Sequence, residues 1–241
     1  MYLTRITLSP TAFRARSLLS SSQNLHAALA ASFPVSGEQN KDGSPVERIL
    51  WRLDTSRSNP EPNLFVVSPH GPDMDEAAER ITIKSRVLTK DYQPVLDRIT
   101  AGDVYSFRIT ANPTSYERRQ DKIETTSGHL STHTRKPLHR HDEQVSWLVA
   151  KLAQSGAAPV PSSTVPGGID LVVDGETSDM FTRRAAASKR TSGVTIKRVG
   201  FKGHLTVTDV AALRSALTLG IGAAKGYGCG LLTLAPPAAR I

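Results

Sequence analysis

The hydrophobic pattern of the 241-residue chain runs through the same order of elements twice. In the first half, apolar alternation predicts strands at about 2–8, 48–53, 63–67 and 81–88. Helical spacing predicts helices at about 22–33 and 73–80, which gives the order β-α-β-β-α-β. Ser22 is the expected N-cap of the first helix, Leu25, Leu29 and Phe33 form its apolar face, and Pro34 ends it.

The second half shows this order again, with longer connections. Strands are predicted at about 104–109, 169–173, 194–207 and 230–234, and the charged stretch at about 114–140 is expected to be irregular. Val145, Leu148, Val149 and Leu152 recur at helical spacing, and Asp209 is the expected cap of a further helix. The prediction is an α+β protein of two tandem ferredoxin-like (RRM-like) domains, residues 1–95 and 96–241.

The composition fits a protein that acts outside the membrane on a polyanion. No run approaches the ~18 apolar residues that a membrane-spanning helix needs. Cys229 is the single cysteine and cannot form an internal disulfide, which fits the reducing cytoplasm. Arg5, Arg14 and Arg16 precede the first acidic residue, as in transit peptides, but the alternation from Tyr2 favours a strand instead. We therefore expect a cytoplasmic location.

Positive charge is concentrated near one predicted hairpin. The net charge is +8, and seven basic side chains lie between Ser178 and Lys202 against one acid, Asp179. Such an excess favours contact with phosphates, although a solvated edge hairpin that resists aggregation is the alternative. The candidate RNA-binding residues of this segment are Arg183, Arg184, Lys189, Arg190, Lys197 and Arg198.

A glycine-rich loop precedes the last predicted strand. Residues 220–230 contain five glycines around Lys225. The spacing and the order of helix, loop and strand match neither a dinucleotide-binding loop nor a P-loop. Bare backbone N–H groups with a lysine favour close approach to a phosphate backbone, with Gly222 and Lys225 as binding candidates. A tight turn that starts the strand is the alternative.

Seven histidines are present, and they offer little sign of a metal site. His129 with His133, and His139 with His141, have chelating spacing, but no set of carboxylates accompanies them, so solvated loop histidines are the favoured interpretation. His26 follows Leu25 at the margin of the apolar helix face. From that position it either fills a structural role or reaches a ligand.

Six segments together resemble the CasE family, the CRISPR RNA-processing endoribonucleases of the type I-E Cascade complex. They are residues 1–5, Leu25-His26 before Phe33-Pro34, and the segments 107–113, 145–148, 199–203 and 220–236. The resemblance implies two ferredoxin-like domains, a stem-loop of CRISPR repeat RNA as ligand, and assembly with other Cascade subunits. It also implies cleavage at the 3′ base of the hairpin without a metal or a small-molecule cofactor.

The resemblance also implies roles for single residues. His26 matches the family's catalytic histidine, Arg183 and Arg184 match arginines that face the RNA stem, and Lys225 matches the lysine of the glycine-rich loop. The family has a tyrosine three residues before the histidine, where this chain has Gln23, which cannot transfer a proton.

Two rival functions remain open at this point. A non-catalytic RNA-binding subunit is the first, because Gln23 departs from the family pattern. A ferredoxin-like protein that binds a metabolite is the second, but it leaves the charge excess at 178–202 without a use. RNA binding should weaken steeply with salt, whereas binding of a small molecule need not.

Overall fold

The computed structural model describes residues 1–9, 11, 13–37, 47–55, 61–82, 86–124, 130–184 and 191–237. Side chains are described at all of these except 13–14, 118–124, 130–134, 181–184 and 191–194. The first half contains β1 (Tyr2–Thr7), α1 (Phe13–Leu19), α2 (Ser22–Ser32), β2 (Leu50–Asp54), β3 (Asn63–Ser68), α3 (Met74–Arg80), β4 (Val87–Asp91) and α4 (Gln93–Asp97). Its antiparallel sheet has the order β2-β3-β1-β4.

The second half repeats this arrangement with an inserted hairpin. It contains β5 (Val104–Ala111), β6 (Thr114–Glu124), β7 (Leu130–Pro137), α5 (His141–Gln154), β8 (Ala157–Pro159), β9 (Leu171–Arg184), β10 (Thr191–Val207), α6 (Val210–Leu219) and β11 (Leu232–Ala235). The main sheet has the order β11-β5-β10-β8, β9 also pairs with β10, and β6 and β7 pair separately. The predicted fold of two tandem ferredoxin-like units is confirmed.

The helix caps confirm one prediction made from the sequence and correct another by one residue. The side chain of Asp209 accepts a hydrogen bond from the N–H of Ala212 at 3.0 Å, so the predicted cap of α6 is confirmed. The expected cap at Ser22 is wrong, because the Ser21 hydroxyl accepts from the N–H of Gln23 and Ser22 is the first helical residue. Both serines satisfy the same capping preference, and the backbone geometry selects the earlier one.

Several predicted boundaries are also corrected. The last strand of the first half is Val87–Asp91 rather than 81–88, and the helices α1 and α4 were not predicted. The stretch at 114–140, expected to be irregular, contains β6 and β7 and ends just before α5. Its residues lack the apolar alternation of a half-buried strand, because this two-stranded hairpin does not extend the main sheet.

Two hydrophobic cores hold the molecule together. One packs α1 and α2 onto the first sheet, with Ile6, Leu25, Leu29 and Phe33 buried. The other joins the two halves, since Leu50 and Val67 of the first sheet share a cluster with Phe201 of the second. The predicted division at residue 95 stays a prediction, because the halves share this second core.

Among the helices that the structure describes, none is long and apolar enough to cross a membrane.

Candidate active site

His26 lies at the edge of the buried face of α2. Leu25 and Leu29 are buried in the first core, while His26 and Gln23 are exposed. The helix therefore presents the imidazole at the surface, where a ligand can reach it. This position is the one that a catalytic or ligand-binding histidine requires, and it does not fit a histidine sealed in the core.

The glycine-rich loop, residues 220–230, is held between two tryptophans. Trp51 of β2 donates a hydrogen bond from Nε1 to the carbonyl of Gly226 at 3.1 Å. A Cβ added at Gly228 would lie 2.6 Å from Cζ3 of Trp51, and one at Gly222 would lie 2.9 Å from Cη2 of Trp147. Contacts this short are repulsive, so glycine at 222 and 228 is required by packing within the protein itself.

The middle of this loop contacts His26. Gly226 is so close that an added Cβ would lie 3.4 Å from Cε1 of the imidazole. The Tyr227 ring centroid is 5.8 Å from that of His26, with the rings tilted by 46°. Partial burial lowers the pKa of His26 from its ordinary value of 6.5, so the imidazole is mainly neutral at pH 7.

Lys225 precedes this contact and lies half-buried in the loop. Its pKa is lowered, first by burial and then by the positive charges of Arg48 and Lys151. We call Arg48, Lys151 and Lys225 the loop cluster. An anion relieves repulsion between like charges, so the loop cluster favours a phosphate near this loop.

Arg52 fixes the first half against the second and so brings His26 to the loop. It is only 2% exposed, and its Nη1 donates to the carbonyl of Arg108 at 2.7 Å and to the Thr233 hydroxyl at 2.8 Å. Asp54 accepts two further hydrogen bonds from the same guanidinium, so its carboxylate compensates the positive charge of Arg52. A planar guanidinium can bind this many acceptors at once, which suits it to join two sheets.

The basic hairpin formed by β9 and β10 is only partly described. The backbones of Arg183 and Arg184 lie in β9, where they pair with Ser192 and Thr191, but their side chains lie outside the described part of the chain, as do Lys189 and Arg190 entirely. At the base of the hairpin, Lys197 is buried and lies 2.9 Å from Glu176, while Arg198 lies 2.8 Å from Asp179. RNA contacts by all six residues stay a prediction, and these ion pairs do not favour it for Lys197 and Arg198.

The structure brings His26 against Gly226 and Tyr227, with Lys225 directly before them on the same loop, whereas Gly222 faces Trp147 instead. Sequence reasoning missed Trp51, Arg48, Lys151 and Tyr227. Tyr227 could have been found from the sequence, because it belongs to the glycine-rich loop. The other three lie in distant segments, and only the fold brings them to this site.

The remaining candidates have other roles. Cys229 is buried, which raises the pKa of its thiol to about 12 and keeps it protonated. His204 links Asp170 and Ser106 through hydrogen bonds of 2.7 and 2.9 Å between strands and a loop. His129 lies outside the described residues, and within the described ones no three His, Cys, Asp or Glu side chains are grouped to hold a metal ion.

Comparisons with known proteins identify the family of the chain. Residues 1–236 match the model of a family described as CRISPR associated protein. The chain is 26% identical over 239 residues to the CRISPR-associated endoribonuclease Cse3 of Thermus thermophilus, covering 98% of this chain and 100% of that protein. It is 32% identical over 130 residues to the Cascade subunit CasE of Escherichia coli, covering 54% of this chain and 57% of that protein.

A solved structure extends the likeness to three dimensions. The fold resembles that of the CRISPR endoribonuclease Cse3 bound to a 19-nucleotide RNA, with a TM-score of 0.73 and 26% identity. The match covers 98% of this chain and 100% of that one. The likeness therefore includes both halves of the chain.

Proposed function

Because the chain belongs to the CasE family of CRISPR-associated proteins, we propose that it cleaves CRISPR precursor RNA at the 3′ base of each repeat hairpin. It binds the stem-loop, cuts without a metal, and stays with the mature guide RNA as a subunit of Cascade. The observation that carries the proposal is the contact of an exposed His26 from the first half with the glycine-rich loop of the second, in which Lys225 directly precedes the contacting residues.

The reaction is an attack of RNA on itself. The 2′-hydroxyl upstream of the scissile phosphate forms a bond to phosphorus, and the bond from phosphorus to the 5′-oxygen of the next nucleotide breaks. The proton of the 2′-hydroxyl passes to His26, and the leaving 5′-oxygen takes up a proton from water, so the products carry a 2′,3′-cyclic phosphate and a 5′-hydroxyl. Alignment of the attacking and leaving oxygens by the bound RNA contributes a large part of the rate.

His26 acts as the general base that removes the proton of the 2′-hydroxyl. A base must be unprotonated before the reaction, and the lowered pKa of His26 meets this requirement at neutral pH. Since the neutral form is the active one, the rate rises with pH through the pKa of His26 and then levels off, and the midpoint in the free enzyme lies below 6.5.

Lys225 stabilises the negative charge that develops on the phosphate. Its partial burial strengthens this interaction, because water screens the two charges less than it would at an open surface. Gln23 is exposed on the same helix as His26 and cannot exchange a proton. His26 is therefore the single proton-transfer residue that we assign, and binding geometry supplies the rest of the catalysis.

The β9–β10 hairpin holds the stem of the RNA. Double-stranded RNA presents mainly phosphates, 2′-hydroxyls and shape, so a strand hairpin that carries arginines suits it. Arg183, Arg184, Lys189 and Arg190 make these contacts in our proposal. Replacing Arg183 and Arg184 together weakens binding of the RNA hairpin and reduces the salt dependence of that binding. An unchanged affinity would mean that the RNA stem binds elsewhere on the protein.

The second candidate function is an RNA-binding subunit without catalysis, and Gln23 is the observation that favours it. Both candidates share the RNA ligand, the Cascade partners and a place in the cytoplasm, where the precursor transcript is made. They differ in whether the wild-type chain cuts its hairpin.

Cleavage of two matched RNAs distinguishes the two candidate functions and also tests the 2′-hydroxyl as the nucleophile. The purified chain is incubated in EDTA with its cognate repeat RNA, either all-ribose or carrying a single 2′-deoxy sugar just upstream of the expected break. We expect cleavage of the first RNA, with a 2′,3′-cyclic phosphate end, and none of the second, while both bind equally. An uncut all-ribose RNA that still binds would support the non-catalytic subunit.

A further inference from the structure

A cavity of about 490 Å³ lies beside the glycine-rich loop, between the β6–β7 hairpin and α5. Its walls include Tyr116, Arg135, Trp147, Lys151 and Gly222. The volume is in the range of pockets that hold small organic groups. Apart from Lys151, a member of the loop cluster, the residues of the cavity wall have no role in the proposed reaction at His26.

The hairpin side of the cavity presents an aromatic ring with a cation on it. Tyr116 is 63% exposed, which is high for a side chain of its size on a folded surface. Nε of Arg135 donates to the Tyr116 hydroxyl at 3.0 Å, and its guanidinium carbon lies 5.3 Å from the ring centroid. An aromatic side chain paired with an arginine is a surface on which nucleobases stack.

The opposite side supplies positive charge and connects the cavity to the active site. Nζ of Lys151 donates to the amide oxygen of Gln154 at 3.0 Å, a contact that orients the ammonium without cancelling its charge. Lys151 is also one of the two cations whose field reaches Lys225. Gly222 in the cavity wall and Gly226 at His26 are four residues apart on one loop, so at most ~14 Å separates them.

We propose that this cavity binds one unpaired nucleotide that flanks the repeat hairpin, with its base against Tyr116 and its phosphate near Lys151. The inference rests on the proposed function, since it assumes that the hairpin is held with its base at His26. Single-stranded RNA leaves the stem on both the 5′ and the 3′ side of that point, and either strand supplies the same chemistry. Bases splayed from a stem are the usual targets of stacking by aromatic side chains.

The test compares three repeat RNAs that cannot be cut, because two of them end at the cleavage point and the third carries a 2′-deoxy sugar just upstream of the scissile phosphate. One RNA is the bare hairpin, one has a 5′ flank, and one has a 3′ flank. We expect Tyr116→Ala to weaken binding of one flanked RNA about tenfold, in the range for loss of one stacked base, and to leave the bare hairpin unaffected. The flank that loses affinity is the one that enters the cavity.

Control variants separate stacking from a general disturbance of the hairpin. Tyr116→Phe keeps the ring and should bind all three RNAs like the wild type. Lys136→Ala removes the lysine next to Arg135, which pairs with Glu117 and does not line the cavity, and should change none of the affinities. Equal weakening of all three RNAs by Tyr116→Ala, or no weakening of either flanked RNA, overturns the proposal. A wild-type chain that fails to bind the bare hairpin contradicts the proposed function instead.

Discussion

Two ion pairs lie at the base of the β9–β10 hairpin. Nζ of Lys197 is 2.9 Å from Oε2 of Glu176, and Nη2 of Arg198 is 2.8 Å from Oδ1 of Asp179. The loop cluster, Arg48, Lys151 and Lys225, has a different environment, because the charges that act on Lys225 there are positive. The hairpin base therefore carries cations that the fold already compensates, whereas the loop cluster concentrates charge that a phosphate can compensate. A count of basic residues along the sequence does not distinguish the two groups.

The largest effect is expected from a change to the loop's packing. Gly228→Ala places a methyl group 2.6 Å from Trp51 at a φ of +78°, and both features destabilise the folded state. The expected loss is about 2–5 kcal/mol of unfolding free energy, from the left-handed conformation and the overlap together. Urea denaturation measures it. Gly102→Ala is the matched control, because its φ is +87° but no atom lies within 4 Å, so it should lose only about 1–2 kcal/mol. Equal losses would show that Trp51 does not fix the loop.

Removing the charge of Lys225 should affect chemistry more than stability. Lys225→Ala is expected to lower the single-turnover cleavage rate about 10²-fold, as when one stabilising group for a developing negative charge is lost. Lys202→Ala is the control, since Lys202 is exposed and already pairs with Asp174. A rate within twofold of the wild type for Lys225→Ala would remove this lysine from the active site.

At the base of the β9–β10 hairpin we expect the opposite: removing a cation should affect stability more than it affects RNA binding. Lys197→Met removes a buried ammonium and its ion pair, and we expect a loss of about 1–3 kcal/mol in stability with little change in RNA affinity. Lys202→Met breaks an exposed pair and should cost less than about 1 kcal/mol. If Lys197→Met instead weakens RNA binding without destabilising the fold, the original sequence prediction of an RNA contact is right and the comparison above fails.

A smaller effect is expected at Tyr227, whose ring contacts His26. Tyr227→Ala removes the ring and should lower the cleavage rate about tenfold, because the imidazole loses a contact that orients it. Tyr227→Phe keeps the ring and should retain nearly the wild-type rate. A large loss in the phenylalanine variant would mean that the hydroxyl itself takes part, and Tyr227 would then replace the proton-transfer partner that Gln23 cannot provide.

The repeated order of strands and helices could be predicted from the sequence because it depends on local periodicity and capping. Asp209 shows this, as its side chain makes the expected hydrogen bond. The β6–β7 hairpin could not, since its strands carry no alternating apolar face. Arg48 and Lys151 escaped prediction for another reason, since both lie far from Lys225 in sequence. Lys151 reaches it through the fold of the second half, and Arg48 only when the two halves pack through Arg52 and the shared core.

In the active site, too, local sequence patterns reveal some features, whereas others depend on contacts that only the fold creates. The sequence could indicate His26 as a candidate, because it lies one residue after a core leucine. It could not indicate that glycines 222 and 228 are required by Trp147 and Trp51, since those contacts join residues more than 70 positions apart. Part of what suggested a ligand-binding loop thus comes from internal packing.

The central claim, that His26 performs the proton transfer, is tested most directly by cleavage and binding measured together on His26→Ala. Single-turnover cleavage of the cognate repeat RNA is measured in EDTA, alongside affinity for the uncleavable 2′-deoxy hairpin. His141→Ala, which removes an exposed histidine at the start of α5, is the control. The account predicts that His26→Ala loses at least ~10²-fold in rate while hairpin affinity and the control stay unchanged. Cleavage by His26→Ala at the wild-type rate would contradict it.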